Sequence, residues 1–137
     1  MRRVLVPLLL IWGFLAPAQA DEADSQALRA VIQAQLEAFQ RDDGTTAFSF
    51  ASPMIQRQFG TPEQFMTMVR QGYDPVYRPI STEFQDAQFN AERAVQKVLF
   101  QDRSGQSWMA YYFMQQEADG SWRIAGVRLE QLPDLTT

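Results

Sequence analysis

The stretch "D-G-S-W-R-I-A-G-V-R-L", residues 119–129, decides the fold. Asp119-Gly120 lies between two apolar runs, the short-range signal of a hairpin. Side chains of a strand alternate between its two faces, so Trp122 and Ile124 share one. Val127 and Leu129 belong to the same apolar set but have the opposite parity. One extra residue brings them round, and an isolated strand glycine often marks such a place. The spacing therefore predicts a bulge or sharp bend at Ala125-Gly126. A bulge strengthens local twist, so the sheet is expected to curl into a half-cone. Gly120 reads as a turn and Trp122 as a core anchor.

Working back from this strand, "QSWMAYYFMQQE" (106–117) is rich in strand formers on both faces. It places Trp108, Tyr112 and Met114 on one side and Met109, Tyr111 and Phe113 on the other. Asp102-Arg103-Ser104-Gly105 is a turn. "AVQKVLFQD" (94–102) supplies Val95, Val98, Leu99 and Phe100. "ISTEFQDAQF" (80–89) alternates Ile80, Thr82, Phe84 and Asp86 against Ser81, Glu83 and Gln85. These segments predict a meander of about four antiparallel strands.

The first half changes period. In "SQALRAVIQAQLEAFQRDDG" (25–44), Leu28, Val31, Ile32, Gln35, Leu36 and Phe39 recur at three- and four-residue steps, a one-sided stripe. Ser25 is the expected N-cap and Gly44 the expected stop. Asp42 and Asp43 oppose the dipole at that helix end, which is resolved if one caps a second helix, "TTAFSFAS" (45–52), with Phe48 and Ala51 inward. Ser52-Pro53 starts a short helical turn that Gly60 ends. "TPEQFMTMVRQG" (61–72) carries a T-x-x-Q capping box and a buried face of Phe65, Met68 and Val69. "YDPVYRP" (73–79), with two prolines, is expected to be extended or turning. The predicted class is α+β: three N-terminal helices packed on a strongly curved, cone-like antiparallel sheet of about four strands.

Residues 1–20, "MRRVLVPLLLIWGFLAPAQA", have the layout of a secretory signal peptide. Arg2 and Arg3 precede an apolar run from Val4 to Leu15, and Ala18-Gln19-Ala20 fits a cleavage site. The run is shorter than the roughly 20 residues a membrane span needs, so no stable span is expected in the mature chain. The very apolar run favours the general secretory route over the twin-arginine one. The expected product is one domain over residues 21–137, periplasmic or secreted after cleavage near Ala20. There is no cysteine, so neither a disulfide nor a lipidated cysteine is available. Without Arg2 and Arg3, ten of the twelve basic side chains remain against sixteen acidic ones, a net charge of −6. Such a chain, with its arginines scattered singly, is a poor partner for nucleic acid.

The residue inventory excludes much chemistry. With no His and no Cys there is no triad, thiolate nucleophile or ordinary zinc or haem site, so neither metal nor cofactor is expected. Gly120 and Gly126 have the wrong spacing for a phosphate loop, and Asp42-Asp43 lack the order of a calcium loop. Acid–base work is left to carboxylate, tyrosine and arginine. The candidate catalytic set is Asp42 or Asp43 with Tyr73 and Tyr77, joined by Tyr112 and Arg123. A carboxylate with a raised pKa beside tyrosine hydroxyls can shuttle a proton. Capping is the competing role for both aspartates. A loop packed over the open end of the sheet competes for both tyrosines. Arg123 alternates outward from Trp122. Arg78 and Tyr112 are the ligand-binding candidates, Arg78 as a partner for a carboxylate and Tyr112 as a lining aromatic. The methionines read as gap-filling core residues.

Helices followed by a curled antiparallel sheet resemble the cone-shaped nuclear transport factor 2-like, or ketosteroid-isomerase-like, superfamily. "AFQRDDGTTAFSFASPMI" (38–55), "YDPVYRP" and "DGSWRIAGVRL" together look like one family of exported bacterial proteins within it, a domain of unknown function. The resemblance covers roughly Ala27 to Leu129 and implies a conical fold. The superfamily includes isomerases, dehydratases, hydrolases and non-catalytic binding modules, so the fold leaves function open. Three functions are expected, in this order. The first is a non-catalytic domain whose aromatic-lined cavity holds a small apolar or amphipathic ligand. The second is an isomerase or lyase using the carboxylate–tyrosine set. The third is an envelope interaction module forming a homodimer through its sheet, since an exposed apolar face marks a partner surface.

Overall fold

The computed structural model describes residues 17–134. Five helical elements precede four strands: α1 (Pro17–Gln40), α2 (Gly44–Ser49), α3 (Pro53–Phe59), α4 (Pro62–Gly72), α5 (Asp74–Tyr77), β1 (Ser81–Asn90), β2 (Arg93–Gln101), β3 (Ser107–Gln116) and β4 (Trp122–Gln131). The strands form one antiparallel sheet in sequence order. The α+β class with a curled sheet is therefore as expected. Among the described residues, no helix is long and apolar enough to cross a membrane. Of the expected signal segment, residues 1–20, residues 1–16 lie outside the described residues.

The parity break in residues 119–129 is a bulge. Phe113 pairs with Gly126 while the next residue, Met114, pairs with Ile124, so Ala125 is the extra residue. Trp122 and Ile124 are buried, and beyond the bulge Val127 and Leu129 turn onto the same core. Gly120 adopts a left-handed φ of 86°, which its turn demands. A second bulge, in β1, was not expected. Phe84 pairs with Val98, but Ala87 pairs with Gln96, leaving Gln85 and Asp86 between them. This shift moves the inward set of β1 to Phe84, Ala87 and Phe89. Ile80 is 60% exposed and Thr82 and Asp86 also face water, so the simple alternation expected for this strand fails. Both edge strands of the sheet thus carry a bulge, and together they curl it.

The side chain of Gln96 mends the ladder at the β1 bulge. Its Nε2 donates to the Gln85 and Lys97 carbonyls, each at 2.8 Å. The inward face of β2 is accordingly Ala94, Gln96, Val98 and Phe100, all buried, whereas Val95 and Leu99 lie on the outer face. The other edge is closed differently. Residues between α2 and α3 pair in parallel with β4 through Ala51 and Ile124. Ile124 N donates to the Phe50 carbonyl at 2.9 Å and Ser52 N to the Ile124 carbonyl at 2.8 Å. An edge strand covered in this way presents fewer unpaired groups to other chains.

Helix α1 packs against β1 and β4 and buries Leu28, Ile32, Leu36 and Phe39. It starts eight residues before Ser25, which is an interior position and not the cap. Ala-rich sequence N-terminal to Ser25 contains nothing that breaks a helix. Gly44 does not stop α1 but opens α2. The stop is made at Asp42, whose φ is 53°. Asp43 N donates to the Ala38 carbonyl at 2.8 Å and Asp42 N to the Phe39 carbonyl at 3.0 Å. These are the two bonds of a Schellman ending with Asp in the left-handed position that usually belongs to Gly. Asp43 then caps α2, accepting from Thr46 N at 3.1 Å. Ser52 caps α3 and Thr61 caps α4 in the same way. Helix α4 buries Phe65, Met66 and Val69, with Met68 only half-buried. Met66 lies inward because it packs against Gly44, whose absent side chain leaves it room. Within residues 73–79 the chain turns: Asp74–Tyr77 form the single helical turn α5, with Pro75 in its first turn.

Candidate functional site

The helices and the sheet leave a cavity of ≈ 240 Å³ between α1, α3, α4, α5 and the bulged part of β4. Its walls are mainly Phe39, Phe59, Phe65, Val69, Val76 and Val127. Phe65 is the hub, with ring centroids 6.3 Å from Phe39, 5.3 Å from Phe48 and 5.9 Å from Phe59. The bulge matters to this cavity, because Ile124 and Val127 both line it although they are of opposite parity. Among the described residues, none of the lining side chains is charged. The polar groups on the lining are the Tyr73 hydroxyl and the carboxamides of Gln35 and Gln58. Tyr73 donates to the Val127 carbonyl at 3.3 Å, which ties the start of α5 to β4. Gln35 is 3% exposed, and its Nε2 donates to the Ala47 carbonyl at 3.1 Å. An apolar cavity with few polar groups is the usual form of a small-molecule site.

The expected site residues divide between this cavity and a separate cluster. Of Asp42, Asp43, Tyr73 and Tyr77, Tyr73 alone lines the cavity. Asp42, Tyr77 and Arg78 meet each other at the end of α1. The Tyr77 hydroxyl donates to Asp42, and Arg78 Nη2 reaches the other carboxylate oxygen at 3.0 Å. Arg78 Nη1 donates to the Phe39 carbonyl at 2.7 Å and to the Tyr77 carbonyl at 3.0 Å. Its guanidinium lies 3.9 Å from the centre of the Tyr77 ring. Arg78 is therefore a clamp on the C-terminus of α1, where a cation also suits the helix dipole. Its donors face protein groups, and Arg78 does not line the cavity.

The electrostatics of the two aspartates run against a proton-abstracting base. The hydrogen bond from Tyr77, with Arg78 and Arg70 nearby, holds the Asp42 carboxyl below the ordinary range. The hydrogen bonds from Thr46, with Arg41 beside it, hold Asp43 low as well. A base working near neutral pH needs the opposite shift. Arg123 donates to the Ser49 carbonyl and fastens β4 to α2.

Tyr112 is neither a lining residue nor a surface one. It is completely buried in the core, 6.5 Å from Phe100 between ring centroids. Its hydroxyl has no hydrogen-bond partner among the described residues, and neither has Oε1 of Gln96. Burial alone pushes the phenol far above its ordinary value, so Tyr112 stays neutral. It cannot meet a ligand in this cavity, which corrects its place among the ligand-binding candidates. Gln35 was read only as part of an apolar stripe. The signal was its amide type on an otherwise hydrophobic face.

Among the described residues, no group of acidic side chains is placed to hold a metal ion. The fold is that of two solved structures. One is an NTF-2-like protein of unknown function from Silicibacter pomeroyi DSS-3, at 16% identity and a TM-score of 0.58, covering 82% of this chain and 98% of that one. The other is a ketosteroid isomerase-like protein from Erwinia carotovora atroseptica SCRI1043, at 15% identity and a TM-score of 0.54, covering 80% of this chain and 96% of that one. At these identities the likeness is one of fold. No curated protein matches the chain in sequence. Residues 21–137 match the family described as a domain of unknown function, DUF4864, and the chain belongs to that family.

Proposed function

We propose that the protein binds a small apolar or amphipathic molecule in the cavity under α4 and α5, without converting it chemically. The observation that carries this reading is the lining: ≈ 240 Å³ bounded by aromatic and aliphatic side chains and no charge. An engineered apolar cavity of about 150 Å³ already holds benzene, so the space suffices for a ring with a short substituent. The acid–base alternative draws no support, because neither Asp42 nor Asp43 lines the cavity and both are held in their low-pKa ionised state. We also propose export to the periplasm or medium. The layout of residues 1–20 supports it, and the family match begins at Asp21, the first residue after the expected cleavage. N-terminal sequencing of the protein from its own host tests that step, and an intact Met1 there would refute it.

Native mass spectrometry of the protein, purified without detergent, tests the binding reading. A retained adduct is expected, and it should be lost in Met68→Trp, which fills the cavity from its half-buried wall. A bare polypeptide mass, together with no response to added apolar ring compounds, would refute it. A second reading rests on the outer face of the sheet. There Phe113 is 42% exposed and is joined by half-buried Val95, Leu99, Met109 and Tyr111. Apolar surface of this kind supports self-pairing. Sedimentation of the wild type and of Phe113→Glu distinguishes it: a dimer that falls to monomer in the variant is expected, and a monomeric wild type at high concentration removes the idea.

A further inference from the structure

The geometry points to an uncharged, single-ring ligand whose hydrogen-bond donor is read by Oε1 of Gln35; this rests on the cavity reading above and specifies its ligand. Gln35 is a polar side chain placed on the apolar stripe of α1 and 3% exposed. It lines the cavity beside Phe39. Its nitrogen is committed to the Ala47 carbonyl at 3.1 Å, which fixes the orientation of the amide. Turning the amide over would set oxygen against oxygen. The oxygen that remains is not among the buried atoms cut off from any partner, so it is open to solvent or to an occupant of the cavity. An amide oxygen that takes no donor from the protein accepts from water, and an occupant that displaces that water keeps the bond only if it brings a donor of its own.

Of the two other polar lining groups, Gln58 is an exposed residue, and Tyr73 makes the same demand as Gln35. The Tyr73 proton is spent on the Val127 carbonyl, and what its oxygen still offers is a lone pair. Both groups on the inner wall therefore present acceptors. A hydroxyl satisfies them. An ether or ester oxygen does not, because acceptor would face acceptor. A carboxylate fails for two reasons: it brings no donor, and no lining residue is cationic to offset the loss of its hydration. The space between the walls, ≈ 240 Å³, accommodates about one ring with a short chain, more than the cavity of about 150 Å³ that holds benzene. A substituted phenol fits all three conditions.

The test titrates the purified full-length protein calorimetrically with 4-ethylphenol, 4-ethylanisole and 4-ethylbenzoate. These share a ring and chain and differ in offering a donor, a bare acceptor or a charge. The phenol is expected to bind roughly tenfold more tightly than the anisole, the size of one net hydrogen bond. The benzoate is expected not to bind. In Gln35→Met the phenol should fall to the affinity of the anisole, while the anisole itself is unchanged. Equal binding of phenol and anisole to the wild type, or preference for the benzoate, overturns the role of Gln35 and leaves the cavity reading intact. Failure of both neutral compounds to bind overturns the cavity reading too. Should Gln35→Met fail to fold, the side-chain amide resonances of Gln35 in the wild type decide. They should move with the phenol and much less with the anisole; equal movement overturns the inference.

Discussion

Tyr112→Phe should stabilise the protein, which is unusual for a substitution at a fully buried core position. The hydroxyl of Tyr112 is buried without a partner among the described residues, and the ring packs 6.5 Å from Phe100. Leaving a buried donor unpaired costs about 1–3 kcal/mol, and removing it leaves the ring contacts in place. The variant should gain roughly 1–2 kcal/mol, less than the full penalty because the hydroxyl also contributes some packing. For a domain of this size, Tm should rise by about 4 °C per kcal/mol. Urea unfolding at pH 7 measures the gain. The pH dependence supplies an independent check. Burial raises the folded-state pKa of Tyr112 above its unfolded value. Above about pH 10 the unfolded chain releases this proton and the folded one keeps it, so stability falls by about 1.4 kcal/mol per pH unit. Tyr112→Phe lacks that contribution, so its advantage should widen between pH 9 and pH 11. Gln96→Leu is the contrasting case, because Gln96 Nε2 holds two carbonyls, and it should lose stability. A Tyr112→Phe variant less stable than wild type at pH 7 would show that the hydroxyl has a partner and refute the reasoning.

Further predictions concern the frame around the cavity. Arg78→Ala should cost roughly 2 kcal/mol in urea unfolding, mainly through the charged hydrogen bond to the Phe39 carbonyl at 2.7 Å. Lys at the same place should recover less than half of that, since an ammonium cannot fork between the Phe39 and Tyr77 carbonyls and Asp42; full recovery would contradict the clamp. Gly44→Ala should cost about 1–3 kcal/mol, because a Cβ there would stand 2.7 Å from Cγ of buried Met66. Gly126→Ala should be neutral or gain roughly 0.5 kcal/mol, since its Cβ would meet only Phe113 at 3.6 Å. Equal losses at the two glycines would show that the bulge needs glycine itself. Asp42, Asp43, Asp102 and Asp119 all have their pKa values held low by hydrogen bonds. Below about pH 4 the unfolded chain takes up protons that the folded chain resists, so the urea midpoint should fall from pH 5 to pH 3.

Local rules decided much of this protein from its sequence alone. The caps at Ser52 and Thr61, a cap at one of Asp42 and Asp43, the turns at Gly105 and Gly120, and the bulge at Ala125 each depend on residues a few positions apart. Side-chain parity in residues 119–129 implied the curl of the sheet before any tertiary contact was known. The bounds of α1 were missed on local grounds, since it runs back past Ser25 and ends on Asp42 and not Gly44; in the other failures the deciding partner was distant in the chain. The β1 bulge is held by Gln96, eleven positions from Gln85, and no periodicity within β1 announces it. Arg78 looked available for a ligand because its partner carbonyl, Phe39, lies 39 positions away. Asp42 and Tyr77 did come together as suspected, but at the end of α1 and away from the cavity wall. Gln35 looked like an interruption of a stripe until α2 placed the Ala47 carbonyl against its nitrogen and the cavity beside its ring neighbour Phe39. Sequence determines what each short segment prefers, because propensity, capping and alternation are local energies. Tertiary structure decides which polar groups find partners and which are left facing a cavity, because that depends on where remote segments come to rest.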